Sequence, residues 1–268
     1  MKEGILLFCR QDMQVLFFGT GTSYGVPMVA CDCAVCRSDD PRNRRTRASV
    51  LLRERGAALL IDASPDLRQQ MLRHAVQRLD AVLLTHAHAD HVLGLDDVRA
   101  FSGRQNAPVP VYANAETLQV IRRNFEYAFR EPDGPAGWEV PRLRSFEMNG
   151  GAEICGVPVT AVPILHGRRA ILGYRVGGLA YLTDCSAVPD ESFRLLAGLD
   201  MLVVGAVRVA PHPAHFNLSG ALELVERLKP RRAYFTHISH RLDHAAVEAG
   251  LPPHVRLACD GLEIETSG

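Results

Sequence analysis

The run Leu83-Leu84-Thr85-His86-Ala87-His88-Ala89-Asp90-His91 constrains this chain more than any other stretch. The apolar residues Ala81 to Leu84 read as a buried strand, and three histidines and an aspartate follow within six residues. Neutral imidazole suits zinc, manganese or iron, and a carboxylate adds a hard oxygen donor. On an extended strand end, residues two apart face the same way, so His86 and His88 point together. Asp90 and His91 then lie on a turn or first helical turn, from which they can reach a second metal. The competing reading is a polar loop with incidental histidines. A buried strand feeding the cluster argues against it.

At 268 residues the chain can bury a sizeable core, as one large domain or two small ones. Its 47% hydrophobic and 22% charged content is ordinary for a soluble globular protein. With 30 Lys+Arg against 30 Asp+Glu, no global field recruits a nucleic-acid backbone or an anionic membrane. No apolar stretch reaches the roughly 18 residues of a membrane span. Residues 1–12 hold a short apolar run, Ile5 to Phe8, without a small-residue cleavage pattern. They read as a disordered extension or a mis-assigned start ahead of a strand beginning at Met13, in a cytoplasmic protein.

The HxHxDH pattern resembles the metallo-β-lactamase fold superfamily of binuclear metallohydrolases. The resemblance implies an α/β fold in which residues 13–268 form a single αββα sandwich. Two mixed sheets pack together, with helices outside and metals at one edge. It also implies later ligands at strand ends, and the chain offers three after β-like apolar runs. His166 follows Val159 to Leu165, Asp184 follows Leu179 to Thr183, and His237 follows Ala233 to Thr236. The implied sets are His86, His88 and His166 for one ion and Asp90, His91 and His237 for the other, with Asp184 bridging. The ions would be manganese or zinc. A binuclear centre with ions about 3.5–4 Å apart activates water near neutral pH and clamps an in-line displacement at phosphorus. Asp90 can also orient the attacking oxygen. His215 resembles the superfamily's general acid by position, just before Asn217-Leu218. His212 competes, although Pro211 and Pro213 beside it suit a rigid turn equally well.

Three of seven cysteines crowd into Cys31-Asp32-Cys33-Ala34-Val35-Cys36, which argues for metal rather than disulfides. Three thiolates need a fourth ligand for a tetrahedral zinc. The candidate is His240, in Thr236-His237-Ile238-Ser239-His240. This pair of motifs resembles a narrower group, the PhnP-type phosphodiesterase of the carbon–phosphorus lyase pathway, which hydrolyses 5-phosphoribosyl 1,2-cyclic phosphate. The resemblance implies one structural zinc on Cys31, Cys33, Cys36 and His240; the alternative is an inert cysteine loop with His240 solvated. Cys9, Cys155, Cys185 and Cys259 read as buried, reduced thiols.

Elsewhere Gln14 to Phe18 reads as a strand ending at Gly19-Thr20-Gly21-Thr22-Ser23, a tight turn with positive φ or a phosphate cradle. Arg42, Arg44, Arg45 and Arg47 read as a solvated face, or one of them holds a substrate phosphate. Ala48 to Leu52 and Ala57 to Ile61 form a hairpin through Gly56. Asp62 ties the strand end beneath the metal loop. Ser64 is the expected N-cap of the next helix with Pro65 at its first position. A single amphipathic helix is expected over Ala115 to Phe129. The segment Glu131 to Pro141, with the only tryptophan, Trp138, reads as a lid or dimer loop, and a homodimer stays open.

The expected function is phosphodiester hydrolysis of a small cyclic phosphate, most concretely 5-phosphoribosyl 1,2-cyclic phosphate. The partner is a small phosphorylated substrate rather than a membrane or nucleic acid. The Ala115 to Pro141 segment reads as longer than in the carbon–phosphorus lyase enzyme, which leaves the physiological substrate open. Three alternatives share part of the pattern. A tRNA 3′-processing nuclease shares the metal motif, but the chain shows no long basic arm. The pyrroloquinoline-quinone biosynthesis protein shares the fold and related cysteines, with oxidative chemistry on iron. A ligand-binding module could also retain the fold, but intact ligands at all seven positions plus His215 argue against lost activity.

Overall fold

Strands apolar on both faces are covered on both faces, and that requirement sets the architecture. The computed structural model describes residues 12–130 and 140–267. Its first half runs through β1 (Asp12–Gly19), β2 (Ser49–Glu54), β3 (Ala57–Ile61), α1 (Leu67–Arg73), β4 (Ala81–Leu83), α2 (Ala89–Val92) and α3 (Arg99–Arg104). β5 (Val109–Ala113), α4 (Ala115–Asn124), α5 (Glu126–Phe129) and β6 (Leu143–Glu147) complete it. The second half comprises β7 (Gly151–Ile154), β8 (Val157–His166), β9 (Arg169–Val176), β10 (Leu179–Leu182), β11 (Met201–Gly205) and α6 (Leu218–Leu228). It continues with β12 (Arg232–Thr236), α7 (His244–Glu248), β13 (Val255–Leu257) and β14 (Glu263–Ser267).

These strands make two mixed sheets, ordered β14-β1-β2-β3-β4-β5-β6 and β13-β12-β11-β10-β9-β8-β7. Alternation along each strand divides the apolar residues between two layers. Phe17, Leu52 and Leu59 join Tyr174, Tyr181 and Val203 in the core between the sheets. Their neighbours Phe18, Leu51 and Leu60 turn outward to pack with Leu67, Leu95 and Leu118. On the other sheet Leu202, Val204 and Phe235 pack with Leu224, Val225 and Leu242. This is the αββα sandwich. β14 closes it by pairing with β1, although it follows the whole second sheet in sequence.

The hairpin forms as expected, with Val50 opposite Ile61, and Arg55 (φ 51°) and Gly56 (φ 80°) at its turn. Other details differ. The helix over 115–129 breaks at Phe125 (φ −122°, ψ 38°), giving α4 and α5. Ser64 does not cap α1. Its Oγ accepts the Asp66 N–H at 3.2 Å and its carbonyl accepts the Leu67 N–H at 3.0 Å, so Ser64 and Pro65 form a turn ahead of the helix. Asp66 stands at the cap, but its carboxylate is drawn instead to Arg47, 2.9 Å away. The Gly19–Ser23 turn needs glycine for closeness rather than left-handed φ: a Cβ on Gly19 would lie 2.0 Å from the Arg47 carbonyl oxygen.

Three successive amides of that turn are already used, which argues against a phosphate cradle. Thr20 N–H donates to Asp260, Gly21 to the Thr46 carbonyl and Thr22 to the Ile238 carbonyl. Nor is the basic stretch simply a solvated face. Arg45 is 3% exposed and donates to Thr20 Oγ1 (2.7 Å), the Ala258 carbonyl (2.6 Å) and His244 Nδ1 (2.9 Å). Arg42 pairs with Asp40, Arg44 donates to the Ser38 carbonyl, and Arg47 holds Asp66. Of the single cysteines, Cys185 is buried, Cys259 is half-buried, and Cys155 is exposed in a left-handed turn (φ 52°). Cys9, the rest of residues 1–11, and Trp138 with residues 131–139 lie outside the described residues. Among the described residues, no helix is long and apolar enough to cross a membrane.

Candidate metal centre

Strand ends from both sheets deliver the expected ligands to one place. The loop after β4 supplies His86 and His88, and α2 supplies Asp90 and His91. His166 ends β8, Asp184 follows β10, and His237 follows β12. Donor atoms of His86, His88, His166 and Asp184 lie within 4.8 Å of one another, and so do those of Asp90, His91 and His237. Asp184 stands between the two sets. Its Oδ1 is 3.2 Å from His237 Nε2 and 3.3 Å from His91 Nε2, while its Oδ2 is 3.9 Å from His86 Nε2. Donors bound to one tetrahedral ion at about 2.1 Å sit roughly 3.4 Å apart, so this spacing suits coordination.

Buried atoms without partners give an independent test of fit. His86 Nε2, His91 Nε2 and both ring nitrogens of His237 are buried and find no hydrogen-bond partner among the described residues. Such atoms are costly to bury unless something accepts their lone pairs. A divalent cation does so, and the donor set fits one.

The opposite ring atoms are fixed. His91 Nδ1 donates to Asp62 Oδ2 at 2.7 Å, and His166 Nδ1 donates to the Ala214 carbonyl at 2.7 Å. Thr85 Oγ1 donates to Asp62 and accepts from His86 Nδ1 at 3.0 Å. One buried carboxylate therefore orients two imidazoles, one directly and one through a hydroxyl, leaving Nε2 of each to face the centre. Asp62 (φ 63°), Asp184 (φ 53°) and His237 (φ 54°) all adopt left-handed backbone, which turns each side chain off its strand toward the cluster.

The electrostatics are those of a site that attracts positive charge. Burial drives His86 well below its usual range and keeps it neutral. Burial also opposes charge on His91, but the carboxylates of Asp184, Asp62 and Asp90 overcome it and raise that imidazole. Asp184 is likewise held low, against burial, by His237 and His91. His215 lies with its Nδ1 3.8 Å from Asp184 Oδ2, and burial pushes it down to about 3. His212 Nδ1 accepts the Ala214 N–H at 3.2 Å, the rigid-turn role.

The second cluster also assembles. Cys31, Cys33 and Cys36 place Sγ at 3.2, 3.4 and 3.6 Å from His240 Nδ1. The backbone amide of Cys36 leads the effects that draw the Cys33 thiol down to about 6, while burial lifts Cys36 to about 11. Four donors close the set without an open position.

The model of the β-lactamase superfamily domain matches residues 58–238. The chain belongs to the metallo-β-lactamase superfamily. Within that superfamily it is 43% identical to a crystallised diphosphatase of the PhnP family, over 96% of this chain and 98% of the other, at a TM-score of 0.89. It is 38% identical to a coenzyme PQQ synthesis protein B of Rhodopseudomonas palustris, over 71% of this chain and 72% of that protein. An octanoyltransferase of Porphyromonas gingivalis is 37% identical over 94% of this chain, which spans only 51% of that relative's length. This metallo-β-lactamase-fold protein is a metal-dependent hydrolase.

Sequence patterns did not point to everything near the centre. The Ala214 carbonyl that fixes His166 and the Thr85 hydroxyl that links Asp62 to His86 carry no pattern of their own in the sequence. Arg208, Arg241 and Tyr24 line the cavity beside His215 and His237, in place of the Arg42–Arg47 stretch. The THxSH motif, which ends one residue before Arg241, was the available pointer to that arginine.

Proposed function

We propose that this hydrolase holds two divalent ions, zinc or manganese, and cleaves a phosphoester bond in a small phosphorylated substrate. The observation that carries the reading is Asp184, whose two oxygens face two different sets of histidines. Such a pair of ions, when bound, supplies positive charge to phosphoryl oxygens and lowers the pKa of water. The chain's own residues do the rest. Asp184 sets the spacing between the two donor sets. Asp90, with Oδ2 3.3 Å from His91 Nε2, sits where a carboxylate can orient the attacking oxygen. His215 presents a buried, unpartnered Nδ1 beside the same centre and delivers a proton to the leaving oxygen. A phosphate anion next to that imidazole raises its pKa from the low value burial imposes.

The Cys31, Cys33, Cys36 and His240 cluster suits a structural zinc, separate from the reaction. The cyclic-phosphate substrate is favoured by the pairing of the cysteine and THxSH motifs, with 5-phosphoribosyl 1,2-cyclic phosphate the concrete candidate. A second reading, cleavage of a diphosphate bond, is favoured by the 43% identity to a PhnP-family diphosphatase. Both reactions use the same clamp at phosphorus.

A screen of cyclic phosphates, linear diesters and diphosphates with manganese or zinc tests the proposal. Hydrolysis of at least one class, lost in Asp184→Ala, is expected. Unchanged turnover in Asp184→Ala would overturn the two-ion assignment. A screen in which no phosphate substrate is cleaved would overturn the substrate class.

A further inference from the structure

The opposite end of the first sheet carries a second concentration of charge. β4, β5 and β6 run parallel, and the metal loop leaves the C-terminal end of β4. Around the N-terminal ends of β5 and β6, remote from that loop, opens a cavity of about 670 Å³, within the range of ligand pockets. Arg122, Arg130, Arg142 and Arg144 line it, against a single carboxylate, Glu126. Arg130 already pairs with Glu126. The other three guanidiniums have no carboxylate partner among the described residues. Arg122 donates through Nε and Nη2 to Ser145 Oγ, at 2.9 and 2.6 Å, and Arg142 donates to the Ser102 carbonyl at 2.8 Å. These neutral acceptors fix two guanidiniums without cancelling their charge. Arg144 is exposed on the edge strand β6. Basic residues in the last turn of α4 complement its dipole, which accounts for Arg122. It does not account for Arg142 and Arg144, which β6 and the residue before it bring to the same cavity. Like charges drawn together repel unless an anion lies between them.

We infer that this cavity is an anion site separate from the metal centre, taking a ligand with a di- or triphosphate chain. Guanidinium forks match phosphate geometry and keep their charge at any working pH. Three uncompensated arginines match a chain of several charges better than they match one carboxylate. Pro108 and the half-buried Phe129 line the same cavity and offer apolar surface to a ring attached to the chain, as in a nucleoside triphosphate. None of the candidate metal ligands lines this cavity, so the site stands independently of the phosphoester reading.

Isothermal titration of the metal-loaded protein with ATP, inorganic tripolyphosphate and adenosine tests it. The proteins compared are wild type, Arg122→Gln/Arg144→Gln and a control, Arg227→Gln/Arg256→Gln, that removes equal charge elsewhere on the surface. All four side chains are exposed, so both double variants should melt where wild type does. Wild type is expected to bind ATP at a site that survives mild chelation of the metal centre. Arg122→Gln/Arg144→Gln should weaken that binding by roughly 10-fold or more, the scale of lost charge-assisted hydrogen bonds, and the control should not. Tighter binding of ATP than of tripolyphosphate would support a nucleotide as the ligand, and equal binding would support the free chain; either sustains the site. Adenosine binding as tightly as ATP, or an equal loss in the control, would overturn it. So would ATP binding unchanged in Arg122→Gln/Arg144→Gln, or no chelation-resistant binding of either polyphosphate.

Discussion

His91 Nδ1 lies 2.7 Å from Asp62 Oδ2, and neither side chain is exposed to solvent. The carboxylate also accepts the Thr85 N–H at 2.8 Å, so it joins β3 to the metal loop while setting the ring orientation. Asp62→Asn keeps the shape but removes the charge and turns an amide donor toward donors. Metal affinity should fall roughly 10–100-fold, the usual effect of losing such a partner. Metal titration measures it, and unchanged affinity would reduce Asp62 to a strand-end tie.

The cysteine cluster should retain its ion when the active site does not. Mild chelation is expected to remove activity while about one zinc equivalent stays bound, since four protein donors leave no open position. Cys33→Ser should lose that zinc and lower the melting temperature, because His240 no longer anchors the loop around Cys31 to Cys36. Unchanged zinc content and melting temperature in Cys33→Ser would remove the structural-zinc assignment.

Leaving-group dependence separates a proton donor from a ligand at His215, which lies within 4.8 Å of donors on Asp184 and His237. A sugar alkoxide needs a proton to depart and p-nitrophenolate does not. His215→Ala should therefore slow a ribosyl cyclic phosphate by roughly 10²-fold or more and the aryl diester much less. Equal losses together with reduced metal content would make His215 a ligand. A differential effect at His212 instead would transfer the role there.

Acid should weaken the closure of the sandwich. Asp200 pairs with Arg231 and Arg232 and accepts from Thr266 Oγ1 on β14. Arg231 first, then Thr266 and Arg232, hold its carboxyl well below the usual carboxylate range. A folded pKa depressed below the unfolded value of about 3.9 contributes stability above pH ~4. That contribution is lost as pH falls toward the folded value. Asp200→Asn should be less stable than wild type at pH 7, and the gap should narrow below pH ~4 in denaturant titrations. A gap constant with pH would mean the charge is not what matters.

The clustered metal-binding candidates were legible because the stretches that carry them follow apolar runs that read as buried strands, and the fold brings those strand ends together. Local capping was less legible. Ser64-Pro65 has the composition of a helix start, yet Arg47, distant in sequence, takes the carboxylate of Asp66 and the turn forms first. Arg45 looked like one of four solvated charges, and only tertiary structure shows it threaded between Thr20, Ala258 and His244. The cavity arginines were missed for the same reason. A lone arginine in a polar loop has no periodicity, and its meaning lies in what the fold places opposite it.

The left-handed backbone at Asp62, Asp184 and His237 has a cost in free energy, about 1 kcal/mol for each L residue. None of the three can relax without losing its aim at the centre. Glycine at Asp184 would remove that strain, but it would also remove the carboxylate that His237 and His91 hold, so the backbone relief comes at the expense of the buried pairing.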